Sequence, residues 1–181
     1  MKIIVLTGSP HPNGTSAKLV EEFLKGSAEA GNQVERFDTA ILKIHPCMAC
    51  GYCRRKGKGC IQQDDMQAIY ESLLQSDVIV FASPLYYYGL TAQLKTALDR
   101  FYAISRQLKD KEIILLLAFS DDDISAADGV LCSFRSMCDH LSMRMSKTVF
   151  AKGCPTADSL DAQYLQQAYE IGKRAGMEAP D

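Results

Sequence analysis

Apolar runs alternate with amphipathic stretches along most of the chain. Ile3-Ile4-Val5-Leu6 is a short apolar run that ends at Thr7-Gly8-Ser9-Pro10. Val78-Ile79-Val80-Phe81-Ala82 and Ile113-Ile114-Leu115-Leu116-Leu117 are nearly continuous apolar runs, as expected of central parallel strands covered on both faces. The pattern predicts strands over 2–7, 33–38, 78–82, 112–118 and 145–150. Between them, apolar positions recur at helical spacing. Leu19, Val20, Phe23, Leu24 and Ala28 line one face of a helix predicted over 15–30, and Gly31-Asn32 supplies its stop. Further helices are predicted over 64–75, 91–102, 124–141 and 159–175. Asp64 with Gln67 has the spacing of a capping pair ahead of Ile69, Leu73 and Leu74.

Strands that alternate with helices imply an α/β fold with a doubly wound parallel sheet. A chain of 181 residues suits one domain with the five-stranded order 2-1-3-4-5. Such a sheet binds its ligand beyond the carboxyl ends of strands 1 and 3, where the strand order reverses. Two loops are therefore expected to carry the site, one around residues 8–16 and one around residues 83–89.

Composition narrows the function classes. Apolar residues make up 47% and charged residues 23%, an ordinary globular balance. The net charge of −2 gives no electrostatic reason to expect nucleic acid or an anionic membrane as partner. No apolar run approaches bilayer-spanning length, and the one after Lys2 is too short for a signal-peptide core. A cytoplasmic protein is expected. In that reducing setting the seven cysteines read as thiols or ligands rather than disulfides.

The first loop, from Gly8 to Ser16, passes from a strand into a helix. Free N–H groups and the positive end of the helix dipole converge at such a junction and favour an anion. Ser9, Asn13, Thr15 and Ser16 add hydroxyl and amide donors. The loop lacks the Gly-Lys-Ser/Thr ending of a P-loop and the Gly-x-Gly-x-x-Gly dinucleotide pattern. The plainer alternative is a polar turn with Thr15 as N-cap. The second loop contains Ser83, Pro84, Leu85, Tyr86, Tyr87, Tyr88 and Gly89. Its rings and proline can wall a flat aromatic ligand, or else pack at a subunit interface or over the core.

Between strand 2 and the second helix, residues 45–62 form a cysteine-rich insertion with the spacing Cys47-x2-Cys50-x2-Cys53-x6-Cys60. Four thiolates on a glycine-bearing loop suit a [4Fe–4S] cluster or tetrahedral zinc. A redox-active or free dithiol is the competing reading. Cys132, Cys138 and Cys154 read as small buried apolar residues. The aspartates at 121–123 read as a solvated turn capping the next helix, His45 and His140 as structural, and Asp99-Arg100 as a local ion pair.

Taken together, Gly8-Ser9-Pro10-x-x-x-Gly14-Thr15-Ser16, Asp64-Asp65-Met66, residues 83–89 and Lys95-x-x-x-Asp99-Arg100 resemble the NAD(P)H-dependent FMN reductase family. This flavodoxin-like group includes the iron–sulfur flavoproteins, whose cysteine spacing residues 47–60 also resemble. The resemblance covers residues 1–105 best. It implies FMN, its phosphate held by Ser9, His11, Asn13, Gly14, Thr15 and Ser16 and its isoalloxazine set against Pro84, Leu85, Tyr86, Tyr87, Tyr88 and Gly89. His11 stands where many relatives carry an arginine. The resemblance further implies NAD(P)H as co-substrate, a small-molecule or protein electron acceptor, and a homodimer or homotetramer. No catalytic acid or base is expected from the chain.

Overall fold

The computed structural model describes residues 1–177. Its five strands form one all-parallel sheet in the order β2-β1-β3-β4-β5. They are β1 (Lys2–Thr7), β2 (Gln33–Asp38), β3 (Val78–Pro84), β4 (Glu112–Ala118) and β5 (Arg144–Ala151). The helices are α1 (Thr15–Glu29), α2 (Tyr52–Lys56), α3 (Met66–Gln75), α4 (Ala92–Arg100), α5 (Asp128–Leu141) and α6 (Ala162–Lys173). This is the flavodoxin-like, doubly wound topology expected from the strand–helix alternation. Among the described residues no helix is long and apolar enough to cross a membrane.

Period-two alternation divides each central strand between two apolar layers. Ile4, Leu6, Ile79, Phe81, Ile113, Leu115 and Leu117 face a cluster completed by α3, α4 and α5. Ile3, Val5, Val78, Val80, Ala82, Ile114 and Leu116 face the other, completed by α1 and α6. Phe81 anchors the larger layer with an edge-on contact to Phe134 at 4.9 Å between ring centres. In the smaller layer α1 and α6 touch backbone to backbone. A Cβ at Gly26 would stand 2.1 Å from the Tyr169 carbonyl, and one at Gly172 2.1 Å from that of Phe23. Only glycine permits so close a crossing.

Helix starts depart from the sequence expectation for identifiable reasons. Gly14, not Thr15, occupies the N-cap of α1, and no side chain caps it. The Asp64 carboxylate accepts from the Met66 N–H but forms no capping pair with Gln67, because it is held by Arg100. Gln67 instead donates to the Gln62 carbonyl. Asp161 caps α6, so that helix begins three residues after the short 3-10 turn Ala157–Ser159. The one-turn helix α2 within the cysteine loop had no periodic signal.

Candidate functional site

Each parallel strand ends at the same edge of the sheet, and the loops there are stitched sideways by main-chain bonds. The Gly8 N–H donates to Ala82 O at 2.9 Å, Leu85 N–H to Ala118 O at 2.9 Å, and Phe119 N–H to Ala151 O at 2.9 Å. Each extends the ladder one step past the strands. Gly8 also abuts the start of α4, where a Cβ would lie 2.3 Å from Thr91 Oγ1. The two loops expected to carry the site are thereby locked against each other. Ser83 Oγ accepts from Thr91 N–H, and Thr91 Oγ1 caps α4 through Leu94 N–H.

A cavity of about 560 Å³ opens at this edge. Ser9, His11, Pro12, Asn13, Gly14, Thr15 and Ser16 supply one wall. The loop is folded tightly: His11 N–H donates to Ser9 Oγ at 3.1 Å, and Gly14 N–H to His11 O at 3.1 Å. A Cβ on Gly14 would crowd His11, at 3.2 Å from its Cβ. Because no side chain caps α1, its first-turn N–H groups face the cavity without a protein acceptor there. Lys18, one turn in, is occupied elsewhere, donating to Ala157 O at 3.0 Å. The electrostatics of this wall are therefore those of a helix dipole and neutral donors, with His11 exposed at the rim.

Pro84, Leu85 and Tyr86 form the second wall. Tyr86 and Gly89 exchange two main-chain hydrogen bonds, N–H to O at 3.0 Å and 3.2 Å, across a two-residue turn. Tyr87 and Tyr88 sit at its tip with φ of 52° and 64°. Positive φ at both central positions is the sign a type I′ hairpin requires, and tyrosine is a costly residue for it. The turn points both rings outward: Tyr87 is 99% and Tyr88 65% exposed. They do not line the cavity, and neither does Gly89.

Two further segments complete the cavity. Ala118, Phe119 and Ser120 follow β4, and Cys154, Pro155, Thr156 and Ala157 follow β5. The second segment was not expected from the sequence. Its only signal was position, since it leaves the carboxyl end of a predicted strand. Cys154 is buried, its thiol donating to Lys152 O at 3.1 Å, and burial pushes that thiol's pKa up. Cys138 is likewise buried, but Cys132 lies exposed on α5, against the expectation of burial.

The cysteine loop follows β2. Cys47 and Cys50 are exposed, and Cys53 and Cys60 half-buried. Left-handed Gly51 and Gly57 bracket α2. Among the described residues no three Cys, His, Asp or Glu side chains gather at metal-binding distance, so the four thiols stand in an open arrangement. The loop is nonetheless anchored. Arg54 stacks over Tyr102 at 4.1 Å and donates to Ser105 Oγ at 2.9 Å. The exposed Asp99 pairs with Lys95, while Arg100 is buried and pairs with Asp64. The sequence expectation of a local Asp99-Arg100 pair is thus corrected. Arg100 Nη1 reaches Asp64 Oδ2 at 2.8 Å and His45 O at 2.7 Å, and Nη2 reaches Asp64 Oδ1 at 3.2 Å. Burial alone would raise the Asp64 carboxyl, but Arg100 and the N–H groups of His45 and Met66 together hold it below the usual range.

Residues 1–154 match the family described as NADPH-dependent FMN reductase. The chain belongs to that family. It is 39% identical over 100 residues to an iron–sulfur flavoprotein of Archaeoglobus fulgidus, covering 55% of this chain and 45% of that protein. A putative NAD(P)H-dependent FMN-containing oxidoreductase of Bacillus subtilis is 25% identical over 188 residues, covering 97% of this chain and 98% of the relative. Among solved structures, an NAD(P)H:quinone oxidoreductase from Methanothermobacter marburgensis superposes with a TM-score of 0.79 at 19% identity, covering 100% of this chain and 98% of its own, which speaks to the fold alone. The chain spans about half the length of the iron–sulfur flavoproteins it matches, with 45%, 58% and 52% of three of them covered.

Proposed function

We propose that this chain is an FMN-dependent oxidoreductase that accepts hydride from NAD(P)H and passes electrons to a separate acceptor. The observation that carries the reading is the cavity at the switch point, with the uncapped N-terminus of α1 on one side and Pro84–Tyr86 on the other. Its donor set fits a phosphate monoester. Thr15 and Ser16 offer first-turn N–H groups and hydroxyls, and Gly14 permits close approach. Ser9 holds the shape of the loop, Asn13 offers an amide at the wall, and His11 is the single imidazole at the rim. Pro84, Leu85 and Tyr86 supply a flat, partly apolar face for the ring system, with Tyr87, Tyr88 and Gly89 completing the turn beside it.

Bound flavin would supply the hydride and electron chemistry. The chain's part is to bind, orient and exclude water. No side chain is asked to give or take a proton. The exposed Tyr87 and Tyr88 rings suit an interface between copies in a homodimer or homotetramer.

In this reading Cys47, Cys50, Cys53 and Cys60 hold a [4Fe–4S] cluster, which would relay single electrons onward. The donor set supports it, since four thiols and three left-handed glycines stand on one loop. The open arrangement of the thiols favours a second reading, in which they are free or redox-active. Anaerobic purification followed by visible absorption and iron and sulfide analysis separates the two: flavin bands without iron leave only the thiol reading. Stopped-flow mixing with NADPH and NADH tests the reductase itself. Flavin that stays oxidised with both nucleotides sinks it and leaves an electron carrier.

A further inference from the structure

The phosphate side of the switch-point cavity is short of positive charge. Among the described residues that line the cavity, His11 alone has a side chain able to carry one. Two other cations stand near the loop, and both are committed elsewhere. Lys18 Nζ donates to the Ala157 carbonyl at 3.0 Å and lies 3.9 Å from an Asp158 carboxylate oxygen. Arg36 Nε pairs with Asp38 Oδ1 at 2.8 Å, at the end of β2. A phosphate dianion at the start of α1 would meet a dipole equivalent to about half a charge, together with neutral donors.

His11 is placed to supply the missing charge. It lines the cavity and also a smaller pocket of about 110 Å³ on the other side of the loop, whose wall includes Thr7, Ser16, Arg36 and Asp38. His11 therefore stands between the ligand cavity and the Arg36–Asp38 pair, which is neutral overall. Its main-chain N–H and carbonyl bond within the loop, to Ser9 Oγ and the Gly14 N–H, so the loop's shape does not depend on the ring. The other titratable groups on the cavity walls are the Tyr86 phenol and the Cys154 thiol, and burial pushes the latter's pKa up, which keeps it neutral. Ser120 and Thr156 face the cavity from the segments after β4 and β5 and carry no charge.

We propose that His11 makes flavin retention pH-dependent: its protonated ring pairs with the phosphate of FMN, and its neutral ring leaves that phosphate to dipoles and hydroxyls. The inference rests on the FMN reading above and adds to it one titrating contact. An imidazole ordinarily changes charge near pH ~6.5. Pairing with a phosphate favours the charged ring, so the complex holds the proton to higher pH than the free protein does. The extra affinity is complete below the free-ring value and is lost as pH rises through the raised value of the complex.

The test is fluorescence titration of the flavin-free chain with FMN and with riboflavin, between about pH 6.5 and 8.5. The phosphate is mostly dianionic throughout, its second ionisation lying near ~6. A charged hydrogen bond contributes a factor of about ten or more in affinity. Half of the free rings are already neutral at the lower end, so FMN affinity should fall about fivefold or more across the window. Riboflavin, with the same ring system and no phosphate, should show no such fall. His11→Asn should bind FMN at the lower pH as weakly as wild type does at the upper, and His11→Arg should hold it tightly at both. FMN affinity that does not fall in wild type, or that falls equally in His11→Asn or for riboflavin, overturns the role of His11 and leaves the FMN reading standing. A wild-type chain that binds neither flavin overturns that reading. If His11→Asn does not fold, the wild-type difference between FMN and riboflavin decides alone.

Discussion

Replacing Asp64 with Asn should be among the most damaging conservative changes in the molecule. The Asp64 side chain is 2% exposed and that of Arg100 1%, so the pair is essentially out of water. Asparagine preserves shape, and its carbonyl still accepts from the Met66 N–H. It removes the negative charge facing Arg100 and turns one acceptor oxygen into a donor. That oxygen, Oδ2, now takes bonds from Arg100 Nη1 at 2.8 Å and His45 N–H at 3.0 Å. Breaking a buried pair by removing one partner costs about 3–5 kcal/mol, because the other charge is left uncompensated. Against the ~5–15 kcal/mol that holds a typical domain together, this is a large share. Urea unfolding of the flavin-free protein measures the loss, and a difference below about 1 kcal/mol would refute the reasoning. Asp64→Leu combined with Arg100→Met should recover part of it, since an apolar replacement strands no charge.

The same pair sets an acid limit. Arg100 and the backbone N–H groups hold the Asp64 carboxyl below its ordinary range. Its stabilisation is therefore complete above the unfolded-state value of about 3.9 and is lost as pH falls through the lowered folded value. Wild type should lose stability on that acid limb more steeply than Asp64→Asn, whose residue 64 does not titrate. Equal slopes below pH ~4 would argue against the assignment.

Other consequences follow from close approaches and from the turn. Gly172→Ala places a Cβ where the Phe23 carbonyl stands at 2.1 Å, so despite alanine's helix propensity it should destabilise by roughly 1–3 kcal/mol in thermal unfolding; a rise in Tm would contradict the glycine crossing. Gly8→Ala should weaken FMN binding more than it weakens the fold, because it pushes on Thr91 where the two cavity loops meet; fluorescence titration with FMN reads this, and unchanged affinity counts against it. Tyr87→Asn with Tyr88→Gly should stabilise the isolated chain by about 1 kcal/mol through relief of left-handed strain, as judged by denaturant midpoint. Ser16→Ala should lower FMN affinity about tenfold or more if its hydroxyl bonds the charged phosphate, since such bonds contribute roughly 1.5–3 kcal/mol.

Much of the frame was legible because parallel strands covered on both faces write their burial directly into sequence. β1, β2 and β4 begin and end where the apolar pattern and its turn residues place them, and the strand order follows. What stayed hidden depends on tertiary partners. Nothing local at Asp64 distinguishes a capping carboxylate from one committed to Arg100, thirty-six residues on. Tyr87 and Tyr88 lack the Asn-Gly chemistry that announces a type I′ turn, so the outward swing of both rings could not be foreseen. The wall formed by Cys154–Ala157 carries no motif. It is brought to the cavity by the lateral stitching of β4 to β5 and by the Lys18 bond to Ala157, both properties of the assembled sheet.

α4 joins the two chemically suggestive regions. At its start, Thr91 packs on Gly8 and takes part in the junction of the cavity loops. At its last residue, Arg100 closes the base of the cysteine loop. Nine residues at ~1.5 Å per residue give a spacer of about 13 Å with little freedom to bend. Between its ends the helix is anchored by Leu94 and Ala97, which are fully buried in the larger apolar layer. The cavity and the cysteine loop come from different loops of the sheet edge, yet their separation is set by one rigid element. Loss of the Arg100–Asp64 clamp should accordingly free the cysteine loop first. The cavity should keep its shape, because its own loops are held by main-chain bonds to β3, β4 and β5 that do not pass through Arg100.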